Sequence, residues 1–349
     1  RQFANLSKKL RIIYYLCGRM VRKAILVLVS AAICTAAAAQ DDFLHKAVDK
    51  YGQTITLLSK VNGSYYRDTS FIFAYPTKWI VKTSANFDRS LITVSGLDQG
   101  REFRASAKSP LHYGQEIAVT YSGLTLAWSW IPPSDIIDNQ FTSRYFGNRI
   151  GFEIYYQYSD AYRGSLLNGA DTLSMNIGEL SCRSMGAEFY YALNYREFSY
   201  PAGMSQTYVQ KKSAGSMLLA LSAKHYDIKS EATQPPGNPA LRIRSTAMAL
   251  QAGYGYNFVP SDDWLFHVSA LAGPLVVNSS TLHLYGHKNG MPLRFPNCMA
   301  RALVAAVYRL NDWNFALNAI ADGSSIGDDS AQRVNYIRFH FTAAVSIRF

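Results

Sequence analysis

From about residue 78 onward, apolar and polar positions alternate with a period of two over many segments. The last segment shows it most plainly. Ile337, Phe339, Phe341, Ala343, Val345, Ile347 and Phe349 alternate with Arg338, His340, Thr342, Ala344, Ser346 and Arg348. Successive side chains of a strand point to opposite faces, so this pattern predicts a strand with one apolar face and one polar or small face. Leu124, Leu126, Trp128 and Trp130 stand opposite Thr125, Ala127 and Ser129. Ile150, Phe152, Ile154, Tyr156 and Tyr158 stand opposite Gly151, Glu153, Tyr155 and Gln157. Ala187, Phe189, Tyr191, Leu193 and Tyr195 form another row. Met248, Leu250, Ala252, Tyr254, Tyr256 and Phe258 face away from Ala249, Gln251, Gly253, Gly255 and Asn257. In a soluble sandwich these apolar rows would meet a protein core. In a membrane barrel they meet lipid, and the small and polar rows face the lumen.

The front of the chain favours export. Met20 opens a basic pair, Arg22 and Lys23, followed by an apolar run from Ala24 to Cys34 and the alanines 36–39. That order is a secretory signal peptide, with Ala37 and Ala39 at the recognition positions and cleavage after Ala39. The apolar run is short of the roughly 20 residues a spanning helix needs. Residues 1–19 are a dubious upstream extension, 20–39 the signal, 40–77 a periplasmic segment with a short helix or plug over Leu44 to Lys60, and 78–349 the barrel. An exported chain that crosses a membrane without apolar helices must close its sheet, because a barrel satisfies every backbone group.

Turn lengths agree with the barrel. The links Pro260 to Asp263 and Leu310 to Asp312 are short. Lys229 to Ala240, Gly273 to Asn297 and Ala321 to Arg333 are long and polar. Short turns inside and long loops outside are the outer-membrane arrangement. The expected fold is an all-β, antiparallel, up-and-down transmembrane barrel of about twelve strands, with ten as the alternative. The strands fall near 78–86, 90–96, 101–108, 115–130, 148–160, 185–196, 214–228, 241–258, 264–273, 298–309, 313–321 and 334–349. Pro132 to Gly147 and Glu197 to Gln210 are then long for periplasmic links. Trp128, Trp130, Tyr254, Tyr256, Phe258 and Trp313 fall at the periplasmic ends, as an interface girdle. Phe339, Phe341, Val345, Ile347 and the terminal Phe349 make the assembly signal of the final strand. Arg242 and Arg244 lie at the opposite end of an outward row, within reach of anionic head groups.

Composition adjusts this picture in two places. Aromatics make up 13% of the chain and charged residues 17%, a balance suited to a β-rich membrane protein. The net charge of +11 comes from 35 basic and 24 acidic residues. Seven of the bases precede Ala39, which leaves 28 against 24, or +4, in the mature chain. The basic excess therefore belongs mostly to the signal, and nucleic acid drops out as a partner. After cleavage Cys182 and Cys298 remain, and a disulfide between them would be an accessory.

The run Asn194-Tyr-Arg-Glu-Phe198-Ser199-Tyr200-Pro201-Ala202, continued by Gln210-Lys211-Lys212-Ser213-Ala214-Gly215-Ser216, resembles a signature of an uncharacterised Bacteroidetes family, domain-of-unknown-function family 4421. Asp68 to Ile72 and Gly253 to Phe258 also resemble it. The resemblance implies an outer-membrane barrel over roughly 68–349 and supplies no activity. It makes the Glu197 to Gln210 link a built feature, either folded under the barrel mouth or stacked inside it. A turn bent at Pro201 and Gly203 remains the plainer reading.

Chemistry is sparse. His283 and His287 have zinc-site spacing on a helix, yet they sit in a Gly-rich loop and no Glu follows His283. His267 with Ser269, and His340 with Thr342, fall on the lumen side. A barrel lipase would carry its Ser/His pair on the outer face. No phosphate loop, nucleophile elbow or dinucleotide fingerprint is present. No catalytic, metal or cofactor residue emerges. The expected partners are outer-membrane lipid and lipopolysaccharide, with the barrel-assembly machinery and periplasmic chaperones during biogenesis. The expected role is a narrow pore, small-ligand conduit or envelope scaffold. An adhesin acting through its long loops and a lipid-modifying enzyme are the alternatives.

Overall fold

The computed structural model describes residues 67–349 except 76–78, 99–100, 133–135, 169–170, 231–240, 285–286, 292, 294–296 and 329–331. The upstream extension, the signal with its cleavage after Ala39, the helix over Leu44 to Lys60 and most of the Lys229 to Ala240 loop lie outside the described residues. The strands in chain order are β1 (Ile72–Ala74), β2 (Trp79–Asp98), β3 (Arg101–Lys108), β4 (His112–Tyr121), β5 (Leu124–Trp130), β6 (Asp138–Phe146), β7 (Ile150–Asn168) and β8 (Asp171–Ala192). A short helix α1 (Tyr200–Met204) and β9 (Tyr208–Gln210) follow, then β10 (Ala214–Ser230), β11 (Leu241–Ser261), β12 (Trp264–Leu284), β13 (His287–Met291), β14 (Cys298–Leu310), β15 (Trp313–Gly327) and β16 (Gln332–Arg348).

Twelve strands make an antiparallel ring: β2, β4, β5, β6, β7, β8, β10, β11, β12, β14, β15 and β16. The final strand closes it, pairing with β2 from Gln332↔Gly96 to Arg348↔Ile80. At what we term the near end, where the chain finishes, the turns are tight. Ser122 and Gly123 both have positive φ, 49° and 89°, as a two-residue hairpin turn matched to strand twist requires. Residues 262–263 and 311–312 make two more short turns. At the far end β3 pairs with β2 on one side and with β7 on the other. The wall there runs β2–β3–β7, so the short β4, β5 and β6 widen the near half alone.

The alternation read from the sequence is the inside–outside alternation of the wall. Met217, Leu219 and Leu221, then Leu250, Tyr254, Tyr256 and Phe258, then Phe315 and Leu317, point outward and are exposed. Their in-between neighbours Leu218, Ala220, Gln251, Asn257, Asn314 and Asn318 are buried in the lumen.

The strand limits change in several places. The segments 78–86 and 90–96 are one strand, β2. The segment 115–130 is two strands, β4 and β5, folded back at Ser122–Gly123. Pro132 to Gly147 is not a periplasmic link, because it contains β6, paired to both β5 and β7. The segment 185–196 is the near half of β8, which begins at Asp171. Gly273 to Asn297 is largely strand, since β12 runs to Leu284 and β13 pairs back onto it. Ala321 to Arg333 shrinks likewise, as β15 and β16 zip up to Gly327↔Arg333. Cys182 and Cys298 are free thiols, one buried and one exposed.

Candidate functional site

The lumen holds three zones stacked along the strands. At the near end the chain between β8 and β10 turns inward as a stopper. Phe198 and Glu197 nitrogens donate to the Asn194 carbonyl at 2.9 and 3.3 Å, and the Asn194 side-chain amide donates to the Gly215 carbonyl at 3.1 Å. Gln210 then ties the segment together. Its carbonyl accepts from the Ser199 nitrogen at 2.8 Å, while its amide donates to the carbonyls of Glu197 and Lys212. The wall holds this stopper through Asn257, whose amide donates to the Ser199 carbonyl at 2.8 Å and to Gln210 Oε1 at 3.0 Å. Because that amide is a donor, Asn257 Oδ1 is the acceptor for His267 Nδ1, 2.7 Å away. His267 Nε2 is then left to accept from the Ser269 hydroxyl at 3.0 Å.

Aromatic packing completes the stopper. Phe198 is fully buried. Tyr200 sits edge-on to Tyr190 at 4.8 Å and to His267 at 5.4 Å. Burial pushes the Tyr200 hydroxyl up to about 12, so it stays a hydrogen-bond donor at neutral pH. A Cβ at Gly203 would press on the His267 side chain at 2.7 Å, so the segment can seat this closely because glycine stands there. Strand β9 pairs with β1, and Lys211 Nζ donates to the Thr69 carbonyl at 3.1 Å. Arg348, near the end of β16, donates to the Gln206 carbonyl at 2.9 Å and lies 3.5 Å from the Tyr75 ring centre.

Above the stopper lies a charged chamber. Five carboxylates (Asp88, Glu116, Glu153, Glu188, Asp322) meet five bases (Lys82, Arg144, Lys224, Arg301, Arg338). The contacts cross the lumen as well as the sheet. Arg301 of β14 reaches Glu188 of β8 at 2.8 Å, Glu153 of β7 at 4.0 Å and Asp322 of β15 at 3.8 Å. Arg338 of β16 donates to Asp88 at 2.7 Å and to Gln140 of β6 at 3.1 Å. A cavity of about 90 Å³ lies among these groups. Polar and several times the ~10–15 Å³ minimum for a single water, it has room for bound solvent.

Asp88, His340 and Thr342 follow the order of a catalytic relay, with His340 Nδ1 2.9 Å from Asp88 Oδ1 and Nε2 2.8 Å from Thr342 Oγ1. Arg338 shares that Asp88 oxygen, and Thr342 is buried against the wall. The three groups thus belong to the chamber's ion-pair network.

Beyond the chamber the far half of the lumen is a hydrophobic core. Ile92, Val94, Phe103, Tyr162, Leu166, Leu180, Tyr226, Ile228, Leu241, Ile243, Leu282 and Tyr336 pack as one buried cluster. The Tyr226 and Tyr336 rings, from β10 and β16, meet at 4.8 Å.

The sequence-derived positions sort themselves against this frame. The Asn194 to Ser216 residues come together as the stopper and its anchor on β10, inside the mouth rather than as a simple turn. Lys211 and Lys212 are exposed at its rim, and Lys212 lies over the Phe71 ring at 5.1 Å. Phe339, Phe341, Val345 and Ile347 form the outward row of β16, and the Phe349 nitrogen donates to the Trp79 carbonyl at 3.1 Å. Tyr254, Tyr256, Phe258 and Trp313 lie toward the near end. Trp128 and Trp130 do not, because β5 starts at the near end and these residues finish it partway up the wall. His283 and His287 stand on paired strands, not on a helix face. Sequence reasoning passed over most of the ion-pair chamber. Its signal was there: single charged residues on the small, inward row of alternating segments, as Glu153 and Glu188 are.

No curated protein sequence matches the chain. Solved structures with a similar course include the translocator domain of the autotransporter NalP from Neisseria meningitidis, 12% identical, covering 88% of this chain and 98% of that one, with a TM-score of 0.33. The transport unit of AIDA-I from Escherichia coli is 9% identical over 85% and 98% of the two chains, TM-score 0.34. The toluene transporter TodX from Pseudomonas putida is 10% identical over 79% and 90%, TM-score 0.33. Likeness at that level carries no argument about role. The sequence itself is decisive at the family level: the profile described as domain of unknown function DUF4421 matches residues 66–349, and the chain belongs to that family.

Proposed function

We propose that the protein is a bacterial outer-membrane barrel, exported behind a signal cleaved after Ala39, and that it serves as a closed envelope scaffold. The near end faces the periplasm and the far end the exterior. The outward apolar row from Met248 to Phe258 supports the membrane setting. Ten residue steps of ~3.3 Å, tilted by ~35–45°, span about 25 Å, the height of a barrel's apolar band. Tyr254, Tyr256, Phe258, Trp313 and Phe349 then form the periplasmic girdle, and the β16 row is read by the assembly machinery.

The observation that carries the scaffold reading is the hydrophobic core filling the far half of the lumen. A solute path needs polar lining and space, whereas Leu, Ile and Tyr here bury one another. Purified barrel in a planar bilayer is expected to show no conductance steps. Regular single-channel steps from the intact chain would overturn the reading. Export and barrel state are checked first, by N-terminal sequencing of the mature protein and by a mobility difference between boiled and unboiled samples.

The charged chamber favours a second reading, a small-solute conduit shut by the stopper at the near end and by the apolar core at the far end, both of which must give way to open it. Conductance that appears when 197–210 are replaced by a short Gly/Ser link and Tyr226 and Tyr336 are cut to Ser, but with neither change alone, would favour it.

A further inference from the structure

We infer that the outward face of β8, β10, β11 and β12 near the far end carries a binding site for the phosphate groups of an outer-leaflet glycolipid, an inference that rests on the membrane setting above.

The register aligns the relevant side chains. Arg183, Asp227 and Arg244 are directly paired across β8, β10 and β11. One step higher, Arg242, His283 and Lys288 are paired across β11, β12 and β13. Directly paired residues share a face, with Cβ atoms about 5 Å apart. Asp227 organises the cluster. Arg242 grips it with two hydrogen bonds, Nε to Oδ1 at 2.9 Å and Nη2 to Oδ2 at 2.7 Å, and Arg244 Nε stands 3.6 Å from Oδ2. Two guanidinium groups thus share one carboxylate and keep a net positive charge. The Arg244 side chain is 52% exposed. Arg183 is exposed and lies over the Tyr158 ring at 5.8 Å.

Height on the barrel matches a lipid phosphate. Below the cluster the outward rows turn apolar together: Ala223, Leu221 and Leu219 on β10, Met248 and Leu250 on β11, Met185 and Phe189 on β8, Val276 and Val277 on β12. Arg244 is four residues beyond Met248, which places its Cα about 10 Å above the apolar edge at ~3.3 Å per tilted residue. Its long side chain reaches back toward that edge, as arginine does at interfaces. Arg183, Arg242 and Arg244 surround the single carboxylate of Asp227 and leave two positive charges uncompensated on this face. A phosphate seated on the solvent side of Arg183 and Arg244 offsets them with charge-assisted, forked hydrogen bonds.

The test uses folded full-length barrel in detergent and bisphosphorylated lipid A as probe, with bound copies counted by native mass spectrometry. Arg183→Gln with Arg244→Gln is expected to weaken binding about twenty-fivefold, taking about fivefold for each arginine beside a charged lipid surface. Arg104→Gln, an exposed arginine on β3, is expected to change it little. Fully dephosphorylated lipid A is expected to bind the wild type as poorly as the double variant binds the phosphorylated form. Inorganic phosphate in millimolar excess is expected not to compete, which separates a lipid site from a free-phosphate site. Equal binding of phosphorylated and dephosphorylated lipid, equal loss in Arg104→Gln, or efficient competition by phosphate would each overturn the inference. A wild-type protein with no heat-modifiable mobility and no bound lipid of any kind would instead overturn the membrane reading beneath it.

Discussion

Arg301 is the strongest point at which to test the chamber, because it ties four strands across the lumen. Its guanidinium sits 2.8 Å from Glu188, 3.8 Å from Asp322 and 4.0 Å from Glu153, with the side chain 9% exposed. Arg301→Met removes one of the chamber's five bases and leaves its five carboxylates. Glu153 retains Arg144 at 2.7 Å and Asp322 retains Lys224 at 3.7 Å. Glu188 retains a neutral contact, the Ser222 hydroxyl at 3.3 Å. A buried charge stripped of its partner costs roughly 3–5 kcal/mol. At about 1.4 kcal/mol per power of ten, the unfolding constant should rise by two to three and a half orders of magnitude. Urea unfolding in detergent micelles, followed by tryptophan fluorescence and by unboiled gel mobility, reads this directly. Replacing the whole pair, Arg301→Met with Glu188→Met, exchanges it for apolar side chains of similar size, a change that is often near neutral. The double variant should recover most of the lost stability. Wild-type stability in Arg301→Met, or a double variant worse than the sum of its parts, would refute a load carried by paired charges.

The other zones give independent predictions. Phe198→Ala empties a fully buried site in the stopper and should cost about 3–5 kcal/mol of the local closure, seen as faster proteolysis within 194–213 while the barrel keeps its unboiled mobility. Cys298, exposed on the outward face of β14, should react with a maleimide in the folded barrel, whereas buried Cys182 should react after unfolding alone; equal labelling of both would contradict the register of β8. Deleting Phe349 removes an outward ring, 46% exposed, and the last hydrogen bond to β2, and should slow insertion and lower barrel yield. Normal yield of heat-modifiable barrel would count against an assembly role.

The sequence made the wall legible wherever lipid-facing and lumen-facing residues differ sharply. On β11 the apolar outward row faces Gln251, Gly253, Gly255 and Asn257, and the pattern is continuous from Met248 to Phe258. It failed where the lumen demands charge. The gap left at Phe87, Asp88 and Arg89 split β2 into two segments on paper. In the folded chain Asp88 is the inward partner of Arg338, and the strand passes straight through. β6 hid for the same reason: Gln140, Thr142 and Arg144, which line the lumen, follow the breaker pair Pro132-Pro133 in the sequence. β4 and β5 merged on paper although the outward row changes from odd positions, Ile117 and Val119, to even ones, Leu126 and Trp128, across Ser122–Gly123; that change of phase was the signal of the two-residue turn.

The stopper is a different case. It has no periodicity to read, since its order comes from Gln210, Asn257 and His267, which are distant in sequence and joined by hydrogen bonds. The family-like motif marked its position but not its direction. Direction follows from volume. Gly203 and Gly255 leave space where His267 and Phe198 must pass, because a Cβ at Gly255 would stand 2.9 Å from the Phe198 ring. Gly255 lies on β11, in the wall, and Phe198 lies in the link. A glycine on the inward row of a strand thus reports a side chain arriving from elsewhere, and here that arrival turns a long near-end link into the closure of the lumen.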